Sequence, residues 1–134
     1  MPGPVDDARS APVVVVLGAS RDPGKYGHRS VVAHERAGYR VLPINPHATE
    51  IAGVPAFARL ADLPPGPVDR VSVYLPPEVT LQLLPEIARL KPREVWLNPG
   101  AEDQALLSQA HALGLTVVEA CSIVDANLRP VPRR

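Results

Sequence analysis

Residues 13–27 read Val-Val-Val-Val-Leu-Gly-Ala-Ser-Arg-Asp-Pro-Gly-Lys-Tyr-Gly. Four valines and a leucine make a short, continuous apolar run. A parallel strand buried on both faces has this pattern. The run stops at Gly18, and a glycine-bearing loop with Arg21 and Lys25 leads into a helical pattern. In a doubly wound α/β sheet the backbone turns sharply at such a point. The helix that follows offers free N–H groups and the positive end of its dipole to an anion. The stretch therefore predicts an α/β fold with a phosphate site near its start.

Outward from this stretch, strand and helix patterns alternate at the pace of βαβ units. Residues 26–37 read as a helix stopped by Gly38, and 40–44 as a second strand ended by Asn45-Pro46. Residues 69–75 read as a third strand ended by Pro76-Pro77, followed by a helix over 78–90. Residues 94–97 are a fourth strand ended by Asn98-Pro99-Gly100, 102–113 a helix stopped by Gly114, and 115–119 a fifth strand. Between them, 50–54 suits a short strand or turn, and 58–63 suits one or two helical turns broken by Pro64-Pro65-Gly66-Pro67. The expected fold is α/β: a Rossmann-like doubly wound sheet of about five mainly parallel strands with helices on both faces. Residues 1–11 read as a flexible lead, 12–128 as the single domain and 129–134 as a C-terminal tail.

Composition narrows the function classes. The chain has 134 residues, 46% of them hydrophobic but only 4% aromatic, so aliphatic side chains must fill the core. Fourteen acidic and fourteen basic side chains cancel, which argues against general nucleic-acid binding. No run approaches the roughly 20 apolar residues of a membrane span, and the N-terminus lacks a signal-peptide core. One cysteine allows no internal disulfide, so a cytoplasmic location is expected. Seventeen prolines sit mostly at strand ends and in loops.

Ligands of such sheets bind past the carboxyl ends of the strands. That rule gathers the candidate residues at one rim and discounts Arg40, Asp69 and Arg93 at the other. In the first loop, Gly18 allows the tight turn, Ala19 and Ser20 follow it, and Gly27 allows a close approach at the helix start. The Ser20 hydroxyl suits a phosphate, Arg21, Lys25 and Arg29 supply positive charge, and Tyr26 flanks them. After the second strand come Asn45, Pro46 and His47, where an NAD site usually has a carboxylate. Tyr74, Leu75 and Pro76 wall a groove, while Asn98, Pro99 and Gly100 offer an amide and an open backbone. Cys121 closes the set as a small apolar residue or a reactive thiol. His34 and His111 read as surface residues in mid-helix. No catalytic acid–base pair and no metal-ligand spacing is apparent.

Taken in order, these loops resemble the small stand-alone CoA-binding proteins, which are similar to the N-terminal CoA-binding domain of the succinyl-CoA synthetase α subunit. The resemblance is carried by Val-Leu-Gly-Ala-Ser at 16–20, Gly-Tyr-Arg-Val at 38–41 with Pro-Ile-Asn-Pro at 43–46, and Val-Tyr-Leu-Pro-Pro-Glu at 73–78. Val-Trp-Leu-Asn-Pro-Gly-Ala-Glu at 95–102 and Glu-Ala-Cys-Ser-Ile-Val at 119–124 complete it. It implies a Rossmann-type fold with CoA lying across the strand ends. Gly18, Ala19 and Ser20 would hold phosphate, Asn45 and Pro46 would border the nucleotide, and residues 74–77 and 98–100 would line the rest. Many relatives carry Arg in place of Leu75 and Gln in place of Asn98. The synthetase's phospho-histidine belongs to a second domain, and none of His28, His34, His47 or His111 inherits it. The expectation is a protein that binds coenzyme A or an acyl-CoA without transforming it, with Cys121 near the ligand thiol. A small NAD(P)-dependent oxidoreductase and a nucleotide-sensing regulatory module remain as alternatives. No nucleic-acid or membrane partner is expected; a homo-oligomer or protein partner is left open.

Overall fold

A computed structural model describes residues 11–132, so the proposed lead, apart from Ala11, lies outside the described residues. Strand β1 (Val13–Leu17) lies between β2 (Arg40–Ile44) and β5 (Arg70–Val73). Beyond β5 come β6 (Glu94–Leu97) and β7 (Val117–Val118), giving the parallel order β2-β1-β5-β6-β7. The chain first moves outward from β1 to β2, then crosses back to β5. The strand order therefore reverses between β1 and β5, and a crevice opens at such a reversal.

Helices cover both faces, which explains the unbroken valine run. Val13, Val15 and Leu17 face one core with Leu84 and Ile87 of α2 (Pro77–Arg89) and Leu106 and Ala110 of α3 (Gln104–Ala112). Val14 and Val16 face the other core with Val31 of α1 (Tyr26–Arg36). The Asp103 side chain caps α3 by accepting from the Ala105 and Leu106 amides at 3.0 and 3.3 Å. Pro43 is tolerated because β2 is the sheet edge. Phe57 closes that edge: its N–H donates to the Pro43 carbonyl and its carbonyl accepts from Asn45, each at 2.9 Å. The uncertain stretch at 50–54 is a hairpin, β3 (Glu50–Ile51) against β4 (Val54–Pro55). The segment at 58–63 supplies one 3-10 turn, Leu60–Asp62.

The end of the chain differs from expectation. The fifth strand is only two residues long, and a short helix, α4 (Ser122–Leu128), follows it and packs on α1. Residues 129–132 continue onto the domain: Val131 donates its N–H to the Ala37 carbonyl at 2.7 Å.

Beneath α4 lies a buried ionic cluster. Arg70 donates to Asp125 at 2.7 Å and to His34 Nε2 at 3.3 Å. Its guanidinium stands 4.3 Å from the Trp96 ring centre and 5.2 Å from that of Tyr39. Burial pushes the Asp125 carboxyl up, but hydrogen bonds from Arg70 and Arg129 outweigh it and hold the group below its ordinary range.

His34 is not a surface residue. It is fully buried, with Nδ1–H donating to the Ser30 carbonyl at 2.8 Å. Burial, with the Arg70 charge adding to it against that hydrogen bond, lowers its pKa from 6.5 to about 4. A buried neutral imidazole that protonates on unfolding makes stability fall as pH drops through the window from 6.5 to about 4. The loss should be on the order of 3 kcal/mol. Urea denaturation of wild type and His34→Gln at pH 7.5 and 4.5 should show the slope in the wild type and a flatter one in the variant.

Candidate functional site

The crevice lies past the carboxyl ends of β1, β5 and β6 and encloses about 570 Å³, a size suited to a small-molecule ligand. Its first wall is Gly18 with Gly24, Lys25, Tyr26 and Gly27. Its floor is Tyr74, Leu75, Pro76 and Pro77, and its far wall is Pro99, Gly100 and Ala101. A larger cavity of about 840 Å³ opens at the strand starts, between the 63–68 proline loop and Leu90. It lies at the wrong end of a parallel sheet for the ligand, and none of the described α-helices begins in its lining. The smaller crevice is therefore the candidate site.

Two glycines build the first wall. Gly18 has φ +93°, and a Cβ there would stand 3.1 Å from the Tyr74 carbonyl carbon and 3.2 Å from Leu75. Gly18 is thus needed where β1 meets the loop after β5, rather than to clear space for a ligand. A Cβ on Gly27 would fall 2.2 Å from the Gly18 carbonyl oxygen. Gly27 lets α1 sit directly on the end of β1, the packing role of the last glycine in a dinucleotide loop.

The start of α1 is left open to an anion. Lys25 occupies the cap position without a side-chain hydrogen bond, and the first turn holds no acidic residue. The N–H groups of Tyr26 and Gly27 have no acceptor among the described residues. The helix dipole and free amides make this an anion-binding end. Arg21, Lys25 and Arg29 are exposed around it. Tyr26 is 65% exposed, with the Arg29 guanidinium 5.4 Å from its ring centre.

The other expected residues divide by role. Ala19 is buried under the loop. Ser20 Oγ accepts from the Asp22 amide at 3.0 Å, and its carbonyl accepts from His28 Nδ1 at 2.9 Å. Asn45 spends its amide inside the protein: Nδ2 donates to the Ala19 carbonyl at 3.0 Å and Oδ1 accepts from the His47 amide at 2.7 Å. Pro46 is exposed beside it.

Asn98 differs from its expected part. It is 2% exposed and donates to Ser72 Oγ and the Val73 carbonyl, both at 2.9 Å. Its Oδ1 accepts from the Ser122 amide at 2.8 Å and from Ser122 Oγ at 3.1 Å. Ser122 Oγ in turn accepts from the Tyr74 hydroxyl at 3.0 Å. The Asn98 amide therefore supports the crevice floor through Ser122 and Tyr74 and has no donor left to offer a ligand. Cys121 is half-buried at the start of α4 and is absent from the crevice lining.

Pro77 lines the crevice with the rest of the 74–77 stretch, Gly24 and Ala101 of the rim loops join it without having been singled out as ligand residues, and the bond of His28 to a backbone carbonyl was not foreseen. Among the described residues no helix is long and apolar enough to cross a membrane. Among them no three His, Cys, Asp or Glu side chains group as a metal site.

Comparison with known proteins agrees with this geometry. Protein YneT of Bacillus subtilis is 28% identical over 105 residues, 78% of this chain and 77% of its own. The alpha subunit of acetate--CoA ligase [ADP-forming] II from Pyrococcus furiosus is 27% identical over 116 residues, 78% of this chain. This chain spans only 25% of that subunit. The solved structure of cell-free ID.343 from Thermus thermophilus superposes with a TM-score of 0.79 at 34% identity, covering 95% of this chain and 96% of that one. A family model described as a CoA binding domain matches residues 12–127. With the glycine loop, the switch-point crevice and these matches in register, the chain belongs to the CoA binding domain family, as a nucleotide-binding domain related to the subunits of ADP-forming acyl-CoA synthetases.

Proposed function

We propose that this domain binds coenzyme A or an acyl-CoA and releases it chemically unchanged. One observation carries the proposal: the uncapped, acid-free start of α1 opens onto the crevice at the strand-order reversal. A diphosphate satisfies both the free amides and the dipole there. The exposed Arg21, Lys25 and Arg29 suit the additional ribose phosphate. The Tyr74, Leu75 and Pro76 floor and the Pro99–Gly100 wall suit a long, weakly polar pantetheine arm. The turn at 43–47 lacks the carboxylate that would hold the two free ribose hydroxyls of NAD and repel the 3′-phosphate of CoA, which favours CoA over NAD.

Calorimetry with CoA, dephospho-CoA, NAD and NADP on one preparation tests this. CoA should bind most tightly, dephospho-CoA about tenfold more weakly for want of one charge-assisted contact, and NAD weakest. NADP binding tighter than CoA would transfer the site to an oxidoreductase. Acetyl-CoA incubated with the protein should be recovered intact; acyl transfer or hydrolysis above the buffer rate would show a catalyst.

A further inference from the structure

We propose that His28 and Asn45 are positioning residues: each fixes one backbone amide of the loop for the bound diphosphate. This rests on the CoA-binding reading above. A trans peptide is planar, with its C=O and N–H pointing in opposite directions. Tying down the carbonyl of one residue therefore sets the direction of the next residue's N–H. Asn45 Nδ2, from the end of β2, holds the Ala19 carbonyl at 3.0 Å; the N–H of that peptide belongs to Ser20. His28 Nδ1–H, from the first turn of α1, holds the Ser20 carbonyl at 2.9 Å; the N–H of that peptide belongs to Arg21.

Neither N–H has an acceptor among the described residues. Two consecutive amides are thus oriented by side chains of two different elements and left available. Both braces are themselves held. The Asn45 Oδ1 accepts from the His47 amide at 2.7 Å, and His28 stands on a helix whose second residue, Gly27, is seated on the Gly18 carbonyl. Consecutive backbone N–H groups are a recurrent anion-binding device. Fixing them before the ligand arrives removes an ordering cost from binding.

The test is a titration of the whole chain with CoA, followed by calorimetry and by amide proton NMR. In the wild type the Ser20 and Arg21 amide protons should both move downfield at saturation. His28→Ala should weaken CoA about tenfold and abolish the Arg21 shift while sparing that of Ser20. Asn45→Ala should do the converse. His28→Asn places a donor where the imidazole Nδ1 stands and should restore both the affinity and the Arg21 shift. Should Asn45→Ala fail to fold, Asn45→Asp keeps the acceptor for His47 and loses the donor; since it also adds a charge near the phosphates, its test is loss of the Ser20 amide shift with that of Arg21 spared, not its affinity. Equal weakening by His28→Ala and His28→Asn, or loss of both amide shifts together, overturns the proposal. Wild-type affinity in the His28→Ala and Asn45→Ala variants overturns the bracing and leaves the CoA-binding reading standing. A wild type that does not bind CoA overturns both.

Discussion

Gly27→Ala should cost the domain more than about 3 kcal/mol and weaken CoA by at least roughly a hundredfold. In an ordinary helix the same change would help by about 1 kcal/mol, because alanine is the better helix former. Here the added methyl would lie 2.2 Å from the Gly18 carbonyl oxygen, a backbone atom that has no rotamer to escape into. Either α1 lifts by about 1 Å or β1 bends, and both disturb amides whose placement governs binding. Urea denaturation and calorimetry on one preparation would measure the two effects. Gly24→Ala is the control. Its Cβ would meet only the Asp22 Oδ1 atom at 3.3 Å, so stability should change little.

Asp125→Ala should destabilise the domain by about 4 kcal/mol, since it strands a buried guanidinium. The Arg70 and Asp125 side chains are only 7% and 11% exposed, and their bond spans 55 positions in sequence. The flanking Tyr39 and Trp96 rings recover part of the desolvation cost of the cation, but not the lost counter-charge. Replacing both partners, as Arg70→Met with Asp125→Leu, should restore most of the stability, because no charge is then left buried. Chemical denaturation of the two variants decides between these outcomes. In the wild type the pair stabilises above the ordinary carboxylate range. Its contribution fades as pH falls through the depressed value of Asp125, below the window in which His34 acts.

How legible each feature was in the sequence follows from how local its cause is. The strand at 13–17 and the glycine loop are written in neighbouring residues, because an apolar run and an interrupted backbone need no distant partner to be recognised. The crevice wall at Gly18–Gly27 and the floor at 74–77 followed from the fold rule alone. His34 and Asn98 were not legible in this way. His34 sits in mid-helix, and only the cation of Arg70, 36 positions later, shows why an imidazole is buried there. Asn98 stands in an Asn-Pro-Gly turn, which reads as exposed. It shares a sheet face with Trp96, however, and its amide meets Ser122, 24 positions away. Helix α4 escaped notice because seven residues give too little periodicity, and Cys121 supplies no side-chain cap.

Trp96 is the only tryptophan of the chain, and it lies beneath the Arg70 guanidinium under α4. Its indole N–H is bonded to Glu94 at 3.0 Å, so the ring is fixed from both sides. Intrinsic emission is consequently an optical gauge of one joint: undocking of the terminal helix changes the fluorophore's surroundings even while the sheet stays folded.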